Sequence, residues 1–377
     1  MQPTNNRFYK FFGYGLLLVN IFITLWLFAC YAASVISPAG VRYIALFSLT
    51  TPFAILANTL FIIIWLFTRR KWRLLFPLLS LAFCSKLIPA VFGLNYFKGN
   101  DITHQANTVK LMHWNIHGMG YYDKRGNDYA SQIMNIIKDE SPDILCLPEY
   151  YINKRDSLRP FGYKIMSDNN FKEYRFCMDN PYNDVNFGIA VFSKYPINAH
   201  KYYRIGKDIY MMQCDVVLPA AKGTQIVRMF FTHLRSFMFS LKDKEYIADV
   251  KNKKGMGIWG NERTYMFLDK LNNDYAERAS EAANASAIIK QSPYPVLLCG
   301  DMNDLPGSYT YTTMRNGLDD AFSNKGKGLG RTYNELSPTL RIDDIFYDPH
   351  ALRIIGYNVL HYHFSDHYPL IANFAVK

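Results

Sequence analysis

No aspartate or glutamate occurs between Met1 and Lys98, and this stretch contains two long runs without any charged side chain. The first extends from about Phe11 to Ile36. The second extends from about Tyr43 to Thr68, where it stops against Arg69, Arg70, Lys71, Trp72 and Arg73. As helices, uncharged runs of this length match the hydrocarbon thickness of a bilayer. A cleaved signal peptide has a shorter apolar stretch and no second span behind it. A third run, from about Leu74 to Phe97, is weaker, because Lys86 lies near its middle and Pro77 and Pro89 interrupt it. The sequence therefore predicts a transmembrane anchor over residues 1–100, with two or three helices at about 11–36, 43–68 and 74–97. A separate domain occupies 101–377.

Lysine and arginine close to helix ends are retained on the cytoplasmic side. With Arg7, Lys10 and the Arg69 to Arg73 cluster inside, three crossings put everything after about Asn100 outside the cytoplasm, on an inner or plasma membrane; two would leave it inside. Three crossings are the expectation. The net charge of +11 belongs mainly to this anchor, which holds nine of the 42 Lys and Arg residues and leaves 33 to face 31 acidic ones. The later part is nearly neutral and lacks the concentrated basic composition of a duplex binder. The first two runs offer no acidic or basic residue for an ion pathway, which argues against a transporter.

After Asp101 the chain turns to short apolar runs with polar punctuation. Val109 to Trp114, Ile144 to Leu147, Gly188 to Phe192, Ile226 to Thr232 and Val296 to Cys299 read as strands. Tyr129, Ile133, Ile136 and Ile137 recur at helical spacing, and a second amphipathic helix is expected from about Glu262 to Lys290. Lys242 to Lys254 reads as an exposed loop. Cys30, Cys84, Cys146, Cys177, Cys214 and Cys299 form no CxxC pair and are expected to be free core thiols.

Polar residues that resist burial stand where several of these strands end. They are Asn115 in LMHWNIHGMG, Glu149 in PDILCLPEYY, His233 in FFTHLRS, Asp301 and Asn303 in LLCGDMNDLPGS, Asp343 in RIDDIFYDP, and Asp366 with His367 in FSDHYPL. Each alone has an ordinary explanation as a turn former or cap. A hard cation facing a phosphate gives all six segments one reason to carry oxygen and imidazole groups.

The series NIHG, PDILCLPE, GIAVFSKYPI, THL, GDMND, RIDD and SDHYPL, in this order, resembles the endonuclease/exonuclease/phosphatase superfamily from about Val109 to the C-terminus. The resemblance implies an α+β fold, a four-layer αββα sandwich with its site at one rim, here preceded by the transmembrane segment. It implies Mg²⁺, with Mn²⁺ as the alternative ion, bound by Glu149 with Asn115 and Asp366. It gives Asp301 and Asn303 the orientation of an attacking water and the phosphate, His233 and His367 the roles of acid, base or cationic clamp, and Asp343 the orientation of His367. The reaction implied is in-line attack of water on a phosphodiester or phosphomonoester. Two positions depart from the family pattern: Pro148 stands where glutamine commonly precedes the glutamate, and Asp344 stands where an aromatic or histidine is usual.

The expected partners are the lipid bilayer and a phosphate-ester substrate, whether nucleic acid, lipid headgroup or small metabolite; no obligate protein partner is implied. The alternative reading is a catalytically silent, ligand- or partner-binding domain of the same fold. Retention of every polar position with its expected chemistry weighs against it.

Overall fold

The computed structural model describes residues 6–103, 107–121, 129–153, 161–182, 185–237, 240–252, 262–335 and 337–377. Four helices come first: α1 (Asn6–Val35), α2 (Thr51–Leu66), α3 (Leu75–Phe83) and α4 (Leu87–Val91). Two stretches, Phe11–Val35 and Ile44–Leu66, are long and apolar enough to cross a membrane. Side-chain pairs fix their packing as antiparallel passes. Trp26 donates to Thr50 and Trp65 to Asn20, both at 2.9 Å, and Asn58 accepts from Thr24 at 3.5 Å and from Ser80 of α3 at 3.1 Å. Polar contacts of this kind hold helices together where apolar surface alone gives no preference for a partner. At one end Arg73 donates to the carbonyl of Gly13 at 2.7 Å and stacks over Trp65.

The third apolar run is not one continuous helix. α3 gives way at Cys84 to three turn residues, and α4 then resumes for five residues. Pro89 is the cause, since it has no N–H to return to Ser85. Lys86 lies exposed at this break. Past α4, β1 (Gly93–Leu94) pairs with a strand from the later part of the chain.

The second domain continues through β2 (Thr108–His113), α5 (Ala130–Glu140), β3 (Ile144–Asn153), α6 (Gly162–Asn169), β4 (Glu173–Tyr182), β5 (Val185–Ser193), β6 (Ile197–Gly206), β7 (Ile209–Pro219) and β8 (Thr224–His233). It is completed by α7 (Leu241–Lys251), α8 (Glu262–Ile289), β9 (Val296–Asp301), α9 (Tyr309–Arg315), β10 (Asp319–Asp320), α10 (Ala321–Lys325), β11 (Lys327–Gly328), β12 (Asp343–Tyr347), β13 (Leu352–Val359) and β14 (Leu370–Val376). One six-stranded sheet has the order β13-β14-β2-β3-β5-β4, the other β10-β12-β9-β8-β7-β6. Alternation along each strand separates three cores. Leu111, Cys146, Met229 and Cys299 face inward between the sheets. Met112 and Leu145 face outward onto Ile133 and Ile137 of α5, while Phe230 and Leu298 face Ala282 and Ala285 of α8. The result is an αββα sandwich of four layers, and all six cysteines are free and buried.

The Lys242 to Lys254 loop expectation is overturned over its described part, where Leu241–Lys251 forms α7. Ser240 caps it, accepting from the Asp243 N–H, while the Asp243 carboxylate accepts from the Ser240 N–H, so a capping box nucleates helix in a charged segment. Lys253 and Lys254 lie outside the described residues.

The helical bundle meets the sandwich at the end opposite Arg73. In the turn between α1 and α2, Arg42 pairs with Asp269 of α8 at 2.5 Å, and the Tyr43 N–H donates to Asn272 at 2.8 Å. The carbonyls of Pro89 and Ala90 accept from Ser323 at 3.0 Å and Arg341 at 2.8 Å. Arg341 is fully buried and also pairs with Asp344 and Asp320, the latter at 3.4 Å. Removing one member of such a pair strands a buried charge. Arg341→Met is expected to destabilise the folded protein by about 3–5 kcal/mol, read as a fall in the midpoint of thermal unfolding in detergent. Adding Asp344→Asn to that variant should recover part of the loss; no recovery would show that the carboxylate is not what Arg341 compensates.

Candidate active site

Strand register brings most of the expected residues to one rim. In the second sheet His233 at the end of β8 lies beside Asp301 at the end of β9, which lies beside Asp343 at the start of β12. In the first sheet β2 ends at His113, and Asn115 comes two residues later. Between Leu147 and Tyr150 the register of β3 against β5 shifts, so Pro148 and Glu149 form a bulge, with Glu149 at φ +54°. A bulge is where a strand tolerates proline, and the Pro148 carbonyl accepts from the Ile116 N–H at 3.2 Å. Proline in place of glutamine is thus accommodated in the bulge that turns Glu149 out of the sheet and onto the rim.

The segment carrying Asp366 and His367 is tied to the same edge. Ser365 donates to the Asn115 carbonyl at 2.7 Å, and Trp114 donates to the His367 carbonyl at 2.9 Å. Asn115 donates through its amide to Glu149 and to Asp301, each at 3.1 Å, while its oxygen accepts from the His117 N–H at 3.1 Å. His233 lies 3.8 Å from both Glu149 and Asp301, and His367 lies 3.6 Å from Asp301. The Asn303 N–H donates to Asp301 at 2.8 Å, but its side-chain amide is occupied by the Leu234 carbonyl at 2.8 Å. All eight residues singled out in the sequence therefore converge, with Asp343 set behind the others.

Three further residues belong to this cluster. His117, two positions after Asn115 and 46% exposed, lies 3.5 Å from Glu149 and 3.5 Å from Asp366. It is legible only as part of the NIHG run, whose glycines suggest a turn. Asp179 sits at a register shift of β4, and both its carboxylate oxygens are buried without a hydrogen-bond partner. No apolar alternation in its strand marks it. His113 is fully buried and binds one oxygen of Asp343 at 2.8 Å, while His367 binds the other at 2.8 Å.

The charges reinforce one another. Burial opposes ionisation of Glu149, but His117 and His233 outweigh it and bring the carboxyl to about 2. Burial likewise opposes protonation of His233 and His367; Asp301 and Glu149 raise the first, and Asp343 and Asp301 raise the second well above its ordinary value. Burial raises Asp301, as does Asp343 nearby. Asp179 is pushed up to about 7 by burial, with His233 pulling it down.

A hard divalent ion takes oxygen ligands and keeps several waters. Glu149 and Asp366 offer such oxygens on either side of the half-exposed His117, and the carboxylate of Asp179 and Nε2 of His233 are buried polar atoms nearby without a hydrogen-bond partner. The donor set fits that ion. Asp301, Asp343 and His367 also gather ligand atoms within 4.8 Å of one another, but both Asp343 oxygens are taken by imidazoles, which makes that group a hydrogen-bonded relay.

Residues 112–367 match the Endonuclease/Exonuclease/phosphatase family, and residues 9–91 match a Domain of unknown function (DUF8431). An endonuclease/exonuclease/phosphatase from Beutenbergia cavernae aligns with a TM-score of 0.51 at 17% identity, over 72% of each chain. The catalytic domain of human Nocturnin aligns with a TM-score of 0.50 at 16% identity, over 73% of this chain and 97% of that one. At such identities the likeness is one of fold. Among curated protein sequences none matches.

The His113 pairing carries a pH dependence. Burial disfavours the imidazolium, yet the hydrogen bond with Asp343 and the neighbouring Cys146 thiol raise it to about 10. A folded value above the unfolded 6.5 means that its contribution is complete below pH 6.5 and is lost as the pH climbs through 10. Chemical denaturation should therefore show roughly 3 kcal/mol of stability lost between pH 7 and 10. His113→Gln should flatten that decline; an unaltered profile would remove the ion pair from the account.

Proposed function

Because the chain belongs to the endonuclease/exonuclease/phosphatase family, we propose that it is a membrane-anchored phosphoesterase that uses Mg²⁺ to hydrolyse a phosphodiester or phosphomonoester. The observation that carries this reading is the convergence of Glu149, Asp366, Asp301, His117 and His367 on one rim pocket from distant segments, with His233 3.8 Å from Glu149 and Asp301. Family members of this kind are generally divalent-metal hydrolases, and the oxygen-rich donor set agrees with that chemistry.

Glu149 and Asp366 would hold the ion, with Asn115 bracing Glu149 through its amide. When bound, Mg²⁺ supplies positive charge opposite the phosphate oxygens and lowers the cost of attack by water. Asp301 lies between His233 and His367 and is raised toward the range in which a carboxylate exchanges a proton readily. It takes the proton of the attacking water. His233 and His367, whose protonated forms the neighbouring carboxylates favour, oppose the negative charge that gathers on the phosphate as the bond to the leaving oxygen breaks. Asp343 fixes the His367 ring, and Trp114 and Ser365 fix the backbone that carries it.

The domain division we propose is an anchor over residues 1–100 and the hydrolase beyond it, with α4 and β1 as its docking strip. The hydrolase lies on the extracytoplasmic side. Support comes from the packing of the bundle: the turn between α1 and α2 and the end of the third pass both touch the sandwich, whereas Arg73 meets Gly13 at the other end. Three passes with the cationic Arg69 to Arg73 cluster inside reproduce this arrangement, and α3 with α4 supplies the third despite its break.

The full-length protein in detergent is expected to hydrolyse bis(p-nitrophenyl) phosphate with Mg²⁺ and to stop with chelator. Glu149→Gln and His367→Ala should each lower kcat at least about 100-fold. Binding without turnover in the unaltered protein would favour a silent domain instead. A reporter fused after Lys377 should be active outside the cytoplasm; activity only in the cytosol would refute the proposed side.

A further inference from the structure

The active-site cavity, about 1010 Å³, does not end at the catalytic residues. It continues from Glu149 and Asp301 to a wall formed by Phe237, Ile247, Phe267, Leu271, Tyr275 and Leu49. Leu271 and Tyr275 belong to α8 and pack with Ala45, Leu46, Phe237 and Phe267 into a small apolar cluster. Ala45, Leu46 and Leu49 come from the turn that joins α1 to α2. One continuous space therefore joins the reacting centre to the segment through which the apolar helices enter the sandwich. Leu49 itself exposes 38% of its surface, and Phe47 in the same turn and Phe53 at the start of α2 expose 39% and 54%.

The ionisable groups lining the cavity are carboxylates, histidines and tyrosines; among the described residues it is lined by no lysine or arginine. A nucleic acid strand would bring a phosphate for every nucleotide and, among the described residues that line the cavity, meet no lysine or arginine. A molecule with one phosphate group and an apolar remainder meets both ends of the cavity on their own terms. Resting on the phosphoesterase reading above, we propose that the substrate is an amphiphilic phosphate ester, whose phosphate sits among Glu149, Asp301, His233 and His367 while its alkyl chain lies against Phe267, Leu271 and Leu49. The chain enters from the bilayer beside the α1–α2 turn. Water attacks phosphorus, the bond to one ester oxygen breaks, and that oxygen leaves with a proton.

The test uses the full-length protein in detergent with Mg²⁺ and a series of p-nitrophenyl alkyl phosphates carrying methyl, butyl or octyl groups, all releasing the same phenolate. Each methylene buried against the wall is worth a factor of about four in affinity, so kcat/KM should rise at least about tenfold from methyl to octyl. Leu49→Asn, at an exposed position, and Phe267→Ser should each reduce the octyl-to-methyl ratio. Hydrolysis of the series without any dependence on chain length overturns the proposal and leaves the hydrolase reading standing, as does a preference for a single-stranded oligonucleotide over the octyl ester. Failure to hydrolyse any of these esters overturns both.

Discussion

At the rim that carries the candidate site, the two sheets of the sandwich are tied together by the Asp343 carboxylate. Asp343 starts β12 in one sheet, takes a hydrogen bond from His113 at the end of β2 in the other, and takes another from His367 on the loop before β14. Buried between two imidazoles, it is held well below the ordinary carboxylate range. A charge in that position survives burial only if its partners stay in place. The positions of His367, of the Trp114 contact to its backbone and of Asp301 next to it derive from keeping this ion pair intact. The rim is therefore not a set of independent side chains: displacement of β2 relative to β12 would cost the electrostatic compensation on which the imidazole orientation rests.

The sequence exposed those parts of the site that coincide with strand ends. Asn115, Glu149, His233, Asp301 and Asp343 each adjoin a short apolar run, and the register of β8, β9 and β12 sets His233, Asp301 and Asp343 at one level. His117 escaped because glycines around it suggested only a turn, and Asp179 because β4 is half-exposed and irregular. His113 looked like one more strand residue, since nothing local marks a buried histidine whose partner lies 230 positions away. The helix α7 was hidden by its lysines, although Ser240 and Asp243 stand at capping-box spacing. The cysteines behaved as composition suggested: Cys146 and Cys299 fill space between the sheets.

Both departures from the family pattern acquire a physical role. Pro148 sits in the bulge that turns Glu149, where a missing N–H costs no ladder bond. Asp344, one residue after Asp343, faces away from the rim into the Arg341 network that also takes up the Ala90 carbonyl. Neighbouring carboxylates thus serve opposite sides of one strand: one orders an imidazole, the other secures the docking of α4.

That docking is made at several separated points. The salt bridge of Arg42 with Asp269, the pairing of β1 with β11 and the contacts of Pro89 and Ala90 leave the sandwich no slack linker on which to swing. On the proposed topology, the height and tilt of the catalytic mouth above the lipid are set by the fold itself. The enzyme would then patrol a plane rather than a volume. Its working rate would track the surface density and lateral diffusion of molecules in its own leaflet, and neither dilution of the surrounding fluid nor a molecule held a few nanometres above the surface would register in it.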